Sequence, residues 1–162
     1  MGTTDDLLRN AERYAEGYDG GAKAPPTKKV AVLACMDARL IPTRVLGLAE
    51  GEAHVIRNAG GVVSDDALRS LAISQQLMGT EEVVVLQHTD CGMQRLDDEQ
   101  MVQKLCGSDG ERPEFPMHTF TDLEENVRES IRAIRECPFV PNTDSVRGFV
   151  FDVETGRLTE VE

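Results

Sequence analysis

Short apolar runs alternate along this chain with segments whose apolar residues recur at helical spacing. The runs at 29–35 and 82–88 are almost continuously apolar over the length of a strand, which is typical of strands buried on both faces of a parallel sheet. Residues 53–57 predict a further strand. At 146–161, two strand-like stretches flank a Glu-Thr-Gly turn, which predicts a closing hairpin.

Helices are predicted between these strands. The longer candidates carry apolar residues three and four positions apart along one side. Ser64 can cap one of them, because its hydroxyl can accept a hydrogen bond from the free N–H groups of a first turn. Residues 107–118 contain Gly and Pro and predict a surface loop. The predicted helices lie at residues 4–18, 43–49, 64–78, 97–106 and 122–136.

The order of these elements predicts the fold class. Strands that alternate with helices form parallel sheets, because a parallel connection needs a crossover of about a dozen residues or more. We therefore expect an α/β fold, with a single domain over residues 1–162 and a mainly parallel sheet flanked by helices. The C-terminal hairpin is expected to add an antiparallel edge strand.

Composition and charge narrow the classes of function. The chain has 29 acidic and 17 basic residues, and its net charge is −12. Such a surface repels phosphate backbones and anionic lipids, so neither nucleic acid nor a membrane is an expected partner. No apolar run approaches the roughly 20 residues of a membrane span, and the acidic N-terminal residues lack the apolar core of a signal peptide. We therefore expect a cytoplasmic protein.

Two of the predicted strands end in residues that can bind metal. The first runs into Cys35-Met-Asp37-Ala-Arg39, and the third runs into His88-Thr-Asp-Cys91-Gly. In open parallel sheets, ligand sites form beyond the carboxyl ends of the strands. If these two strands are neighbours in the sheet, the side chains at their ends converge on one point.

Two thiolates and an imidazole suit Zn²⁺, which favours sulfur and nitrogen ligands in tetrahedral geometry. The predicted zinc ligands are Cys35, His88 and Cys91. The fourth position is then open to water, as in catalytic sites, or to Asp37, which would close a structural site. We expect the two remaining cysteines, Cys106 and Cys137, to be structural or incidental thiols.

Three segments together resemble the signature of the β-class carbonic anhydrases: Cys-x-Asp-x-Arg at 35–39, Arg-Asn-Ala-Gly-Gly at 57–61 and His-x-x-Cys-Gly at 88–92. Short chains of this kind are similar to bacterial and actinobacterial members. The resemblance implies one zinc ion per subunit and reversible hydration of carbon dioxide to bicarbonate and a proton by zinc-bound hydroxide. It also implies that Asp37 and Arg39 are catalytic, with the aspartate either on zinc or held by the arginine.

The resemblance further implies a homodimer, with a tetramer as the alternative, and an active site near the subunit interface. The N-terminal helix at 4–18 is expected to pack on the partner subunit. The glycine-rich turn after the second strand either only reverses the chain or brings backbone groups close to a small substrate. The possible substrate-pocket residues are Asn58, Ala59, Gly60, Gly61 and Gly92.

Two other functions stay open. Relatives of this family hydrolyse carbon disulfide or carbonyl sulfide with the same metal ligands. A non-catalytic zinc or bicarbonate-binding module would result if Asp37 stayed locked on the metal. Asp90 either supports the ligands or is a solvated loop residue, and His118 is a candidate proton shuttle. The chain contains no Trp, so a regulatory bicarbonate pocket of the Trp-containing kind does not carry over.

Overall fold

The computed structural model describes residues 2–107 and 110–162. The strands are β1 (Val30–Cys35), β2 (Ala53–Asn58), β3 (Glu82–His88), β4 (Val146–Phe151) and β5 (Leu158–Val161). The α-helices of the described ranges are α1 (Thr3–Glu16), α2 (Pro42–Val45), α3 (Asp65–Gln76), α4 (Asp98–Cys106) and α5 (Leu123–Glu136). Two 3-10 turns follow strand ends, at Ala59–Gly61 and Gly92–Gln94.

The five strands form one sheet in the order β2-β1-β3-β4-β5. The first four strands are parallel to one another, and β5 pairs antiparallel with β4 at the edge. This arrangement confirms the predicted fold class. It also makes β1 and β3 neighbours, so that their carboxyl ends lie side by side. Their continuous apolar sequences follow from this central position, because both faces of each strand are covered.

Side chains alternate between two apolar clusters, one on each face of the sheet. The first cluster packs β1 and β3 against α3 and α5, and it includes Ala31, Leu71, Val85, Val127 and Ile131. The second cluster lies on the opposite face and includes Val32, Leu40, Val62, Leu86 and Phe120. His88 has the same parity along β3 as Leu86. The imidazole therefore projects from the end of the strand on the side of the second cluster.

The helix boundaries follow local chemistry. Asp122 caps α5 by accepting a hydrogen bond from the N–H of Glu125 at 2.9 Å, and the Ser64 hydroxyl caps α3, as predicted, by accepting from the N–H of Ala67 at 3.3 Å. The prediction of a helix over 43–49 was wrong in its extent. The helix α2 stops at Val45, because the chain turns into the left-handed region at Gly47, where φ is 63°.

Helix α1 stands apart from the rest of the structure. None of its residues is buried, and it touches the body of the protein through the Tyr14 hydroxyl, which donates to the Glu50 carboxylate at 3.0 Å. Leu7 and Leu8 are each about three-fifths exposed. Among the described residues, no helix has the length and apolar character needed to cross a membrane.

Candidate metal centre

The three predicted zinc ligands meet where β1 and β3 end. Cys35 is the last residue of β1 and His88 the last of β3, and Cys91 lies in the turn directly after β3. Their ligand atoms all lie within 4.8 Å of one another, and the two Sγ atoms are 4.0 Å apart. The side chains are buried, with His88 wholly inaccessible and each cysteine only 3% exposed.

The imidazole of His88 is oriented to bind a cation. Its Nδ1 lies 2.8 Å from the carbonyl oxygen of Thr89. Because a carbonyl can only accept, Nδ1 carries the proton and Nε2 presents a lone pair. Within the described part of the chain, that buried Nε2 has no hydrogen-bond partner. A buried polar atom left without a partner is unfavourable, and a metal ion shared with the two sulfur atoms would satisfy it.

The two thiols also fit a cation. The hydrogen bond from Cys91 lowers the pKa of Cys35 well below the usual range of a thiol. The same contact, together with burial, raises the pKa of Cys91. A negative charge on one sulfur atom therefore disfavours ionisation of the other. A divalent cation between the two sulfur atoms would stabilise both thiolates. The backbone N–H groups of Asp37 and Met93 donate to Cys35 and Cys91 respectively.

Asp37 and Arg39 form a two-point ion pair beside the ligands. The Arg39 Nε lies 3.0 Å from Asp37 Oδ1, and Nη2 lies 2.8 Å from Oδ2. The backbone N–H of Arg39 also donates to Asp37 Oδ1 at 2.8 Å. These bonds hold the pKa of Asp37 well below the usual carboxyl range. The carboxylate also lies close to the predicted zinc ligands, with Oδ2 3.8 Å from His88 Nε2.

Arg57 has a structural role that its position in the sequence did not reveal. Its guanidinium donates to the carbonyl oxygen of Cys35 through Nε and Nη2, at 3.0 and 2.8 Å. Nη2 also lies 2.8 Å from the carbonyl oxygens of Asp37 and Leu40. One side chain on β2 thus fixes the main chain that carries Cys35 and Asp37. The signal in the sequence was an arginine at the end of a strand, directly before the glycine-rich turn.

The glycine-rich turn after β2 supports the site from behind. Asn58 accepts from the N–H of Val62 at 2.9 Å and donates to its carbonyl oxygen at 2.8 Å. A Cβ on Gly61 would lie 2.6 Å from the backbone nitrogen of Cys35, and one on Gly60 would press on Met93 and Phe120. Ala59 is half-buried in this turn, whereas Gly92 is exposed. The substrate-pocket role of these residues stays a prediction.

His118 and the two remaining cysteines lie outside the candidate metal centre. His118 borders a separate cavity of about 230 Å³ that is also lined by Asn126 and Glu129. Cys106 donates to the carbonyl oxygen of Glu111 at 3.1 Å, and all four cysteines are unpaired. A larger, mainly apolar groove of about 810 Å³ lies between α3 and the end of α5, with Cys137 on its wall.

Known proteins resemble this chain in sequence. Residues 30–111, which contain all three predicted zinc ligands, match the sequence model of a family described as carbonic anhydrase. The chain is 52% identical over 161 residues to "Beta-carbonic anhydrase 1" of Mycobacterium tuberculosis (strain H37Rv), and the match covers 99% of both chains. The chain belongs to the β-carbonic anhydrase family. This confirms the resemblance that the three sequence segments indicated.

Structural comparison agrees with this membership. The crystal structure of a carbonic anhydrase from Streptococcus mutans superposes with a TM-score of 0.87 at 41% identity, covering 100% of this chain and 99% of that one.

A "Carbon disulfide hydrolase" of Acidithiobacillus thiooxidans is 32% identical over 154 residues, which cover 83% of this chain and 77% of the relative. The chain is therefore similar to proteins named for two different reactions.

Proposed function

We propose that this protein is a carbonate dehydratase, a zinc-dependent lyase that interconverts carbon dioxide and bicarbonate. The observation that carries the proposal is the meeting of two buried thiols and one imidazole within 4.8 Å, with an arginine-held carboxylate beside them. Membership of the β-carbonic anhydrase family and the 52% identity to a relative of that name support the choice of reaction.

The metal belongs in this proposal because of the donor set. Cys35, His88 and Cys91 would hold one zinc ion per subunit, since Zn²⁺ prefers sulfur and nitrogen donors and three protein ligands leave a fourth position free. Zinc in such a site supplies a Lewis acid that lowers the pKa of a water molecule. The lone pair of His88 Nε2 is already directed by the Thr89 carbonyl oxygen, so little reorganisation is needed on binding.

Asp37 and Arg39 would orient the reactants. Both carboxylate oxygens of Asp37 accept from Arg39, and such a carboxylate is an oriented hydrogen-bond acceptor. Oδ2 lies 3.8 Å from His88 Nε2, so it can accept a hydrogen bond from a water molecule at the open position. The Arg39 fork keeps Asp37 in that orientation, because it engages both oxygens in one plane.

The test of this proposal is the hydration rate and zinc content of Cys35→Ser. A hydroxyl is a poor zinc ligand compared with a thiolate. We therefore expect the variant to lose most of its zinc. Its kcat/KM should fall by at least about a hundredfold, which is the size of effect seen when an enzyme loses a group that stabilises charge in the transition state. The measurements are stopped-flow hydration of carbon dioxide and metal analysis of the purified protein.

The matched control is Cys106→Ser, which exchanges the same atoms outside the metal centre. Its hydroxyl can still donate to the carbonyl oxygen of Glu111, as the thiol does. Zinc content and rate are therefore expected to equal those of the wild type. Wild-type protein that binds zinc and does not hydrate carbon dioxide would contradict the proposal and favour a non-catalytic module.

Carbon disulfide is the alternative substrate to include in the same assay. The relative named for its hydrolysis is 32% identical to this chain, compared with 52% for the relative named as a carbonic anhydrase. We therefore propose carbon dioxide as the substrate. Release of sulfide from carbon disulfide at a rate above that of carbon dioxide hydration would reverse this assignment.

We also propose that the protein is a homodimer in which α1 of one subunit packs on the other. The apolar residues of α1 form a stripe along one side, and residues 2–107 and 110–162 leave all of them unburied. The groove between α3 and α5 is apolar and open, and it is flanked by the exposed side chains of Leu77 and Phe139. If α1 of one copy packed in this groove of a second copy, both apolar surfaces would be covered. A tetramer would need further contacts.

A cytoplasmic location is a further part of this proposal. All four cysteines are unpaired, and two of them are buried at the candidate metal centre. Unpaired thiols of this kind are typical of reducing compartments. Cell fractionation with an antibody against the protein tests the location.

A further inference from the structure

Arg39 is held from two sides. Its Nε and Nη2 engage Asp37, as described above, while Nη1 lies 2.8 Å from Asp90 Oδ2 and Nη2 lies 3.1 Å from the carbonyl oxygen of Asp90. Four of the five N–H donors of the guanidinium therefore have partners on these two aspartates. Asp37 follows β1 and Asp90 follows β3, so Arg39 joins the two ligand-bearing turns.

The backbone of Asp90 is arranged for this contact. Its φ is 56°, in the left-handed region that few residues other than glycine adopt, although Asp and Asn enter it more often than most. In this conformation both the carboxylate and the carbonyl oxygen of Asp90 meet the same guanidinium. The second carboxylate oxygen, Oδ1, accepts from Arg95. Asp90 is thus fixed by its own backbone and by an outer arginine.

We propose that Asp90 is a positioning residue that holds the Arg39 guanidinium in the plane of the Asp37 carboxylate and so keeps Asp37 away from the fourth metal position. This inference rests on the proposed zinc centre. Two-point binding of a carboxylate needs the guanidinium and the carboxylate to be nearly coplanar. The Arg39 side chain is 46% exposed, so packing alone does not hold it in that plane.

Asp37 is close enough to compete for the metal when Arg39 is loosened. Its Oδ2 lies 3.8 Å from the lone-pair nitrogen of His88, a separation that a small side-chain rotation would turn into shared coordination of one cation. A carboxylate that binds the metal blocks the fourth position. Loss of the Asp90 side chain is therefore expected to shift Asp37 from Arg39 toward the metal.

An ordinary surface ion pair is the competing explanation. Asp90 is about half exposed, and exposed ion pairs contribute little to stability. The two explanations differ in what they predict at the metal. A surface ion pair affects stability alone, whereas a positioning residue changes access to the fourth position while zinc content stays the same.

The test compares Asp90→Gly and Asp90→Asn in cobalt-substituted protein. Glycine adopts the required backbone conformation freely, and asparagine tolerates it, so both variants can keep the turn. Thiocyanate is titrated against the cobalt absorption bands as a probe of the fourth position. We expect about a fivefold or larger loss of thiocyanate affinity in Asp90→Gly, the scale of one exposed charge contact, and a smaller loss in Asp90→Asn.

A second substitution identifies the competitor for the fourth position. In Asp37→Asn/Asp90→Gly the neutral amide binds metal poorly, so thiocyanate affinity is expected to return to at least the wild-type value. Zinc-loaded Asp90→Gly is expected to lose about fivefold in kcat of hydration with an unchanged zinc content. The matched control is Asp66→Asn, which removes an exposed partner of Arg69 on α3, and all these quantities are expected to stay at wild-type values.

The outcomes separate this inference from the proposed function. Unchanged thiocyanate affinity in Asp90→Gly, or a loss that persists when Asp37 is also replaced, overturns the positioning role. Protein that does not bind cobalt at all overturns both proposals. A wild type without hydration activity, combined with the expected cobalt titrations, overturns the proposed reaction and leaves the role of Asp90 supported.

Discussion

At the scale of single residues, the backbone directly behind the predicted zinc ligands leaves no room for a side chain at Gly61. This residue has a φ of 62°, and a Cβ there would lie 2.6 Å from the nitrogen of Cys35 and 2.9 Å from the carbonyl carbon of Ala34. Both neighbours are main-chain atoms of the central strand β1, so neither can move without displacing Cys35. The turn after β2 therefore sets where Cys35 can be.

We predict that Gly61→Ala lowers the free energy of unfolding by about 2–4 kcal/mol, from backbone strain and overpacking together. It is also expected to reduce zinc content, because the clash falls on the ligand strand. Urea denaturation and metal analysis measure the two effects. Gly79→Ala is the matched control, because Gly79 has a φ of 73° and open space around its Cβ position.

The control separates the two physical causes. Gly79→Ala introduces backbone strain alone. We therefore expect its free energy of unfolding to fall by about 1 kcal/mol and its zinc content to stay normal. Equal losses of stability in the two variants would show that the close approach to Cys35 has no consequence of its own. The difference between the variants is therefore the quantity that tests the argument.

At the scale of elements, helix α5 packs tightly against strand β4 through a glycine. A Cβ on Gly148 would lie 2.2 Å from Val127 Cγ1 and 2.9 Å from Ile131 Cδ1. Val127 is fully buried, and its short branched side chain has few alternative rotamers in a helix. The absence of a side chain at Gly148 lets the helix approach the sheet at this point.

We predict that Gly148→Ala destabilises the protein by about 1–3 kcal/mol, the usual range for overpacking. Val127→Ala leaves a cavity and destabilises it by a similar or larger amount. In the double variant the new methyl group occupies part of the space that Val127 vacates. The free energy of unfolding lost in the double variant should therefore be clearly smaller than the sum of the losses in the two single variants. Urea denaturation of the four proteins measures this, and strict additivity would contradict the contact.

Gly17→Ala is the matched control for this comparison. Gly17 lies after α1 with a negative φ, and a Cβ there would meet only ordinary contacts. The free energy of unfolding of Gly17→Ala should stay within about 0.5 kcal/mol of the wild-type value.

At the scale of the whole molecule, the exposed stripe of α1 predicts the assembly state. Leu7→Asp/Leu8→Asp places two charges on this stripe, so the proposed contact with a second subunit should weaken and the protein should dissociate toward monomers. Light scattering coupled to size-exclusion chromatography measures the mass. Because α1 has no buried residue within its own subunit, the double substitution should leave the fold of each subunit intact. Circular dichroism measures this.

Leu105→Asp is the matched control for the assembly state, since this leucine of α4 is 62% exposed outside the proposed interface. It should leave the mass unchanged. A wild type that is monomeric at all concentrations, or a double variant whose mass equals that of the wild type, would contradict the packing of α1 on a second subunit.

Much of the fold was predictable because it depends on local patterns. The continuous apolar sequences of β1 and β3 indicated central parallel strands, and the structure confirms this. The extent of α2 was predicted less well. Apolar spacing continued to residue 49, whereas the helix ends where Gly47 takes a positive φ, and spacing carries no information about that backbone angle.

Sequence alone singled out the three side chains of the candidate metal centre, because two thiols and an imidazole at the ends of two buried strands are donors that zinc prefers. It also determined the family. Only the tertiary structure decided that Arg57 fixes the main chain around Cys35 and that Asp90 holds Arg39. These contacts join residues from different strands and turns, so their geometry depends on strand order and on side-chain direction, and neither is contained in the local spacing of residues.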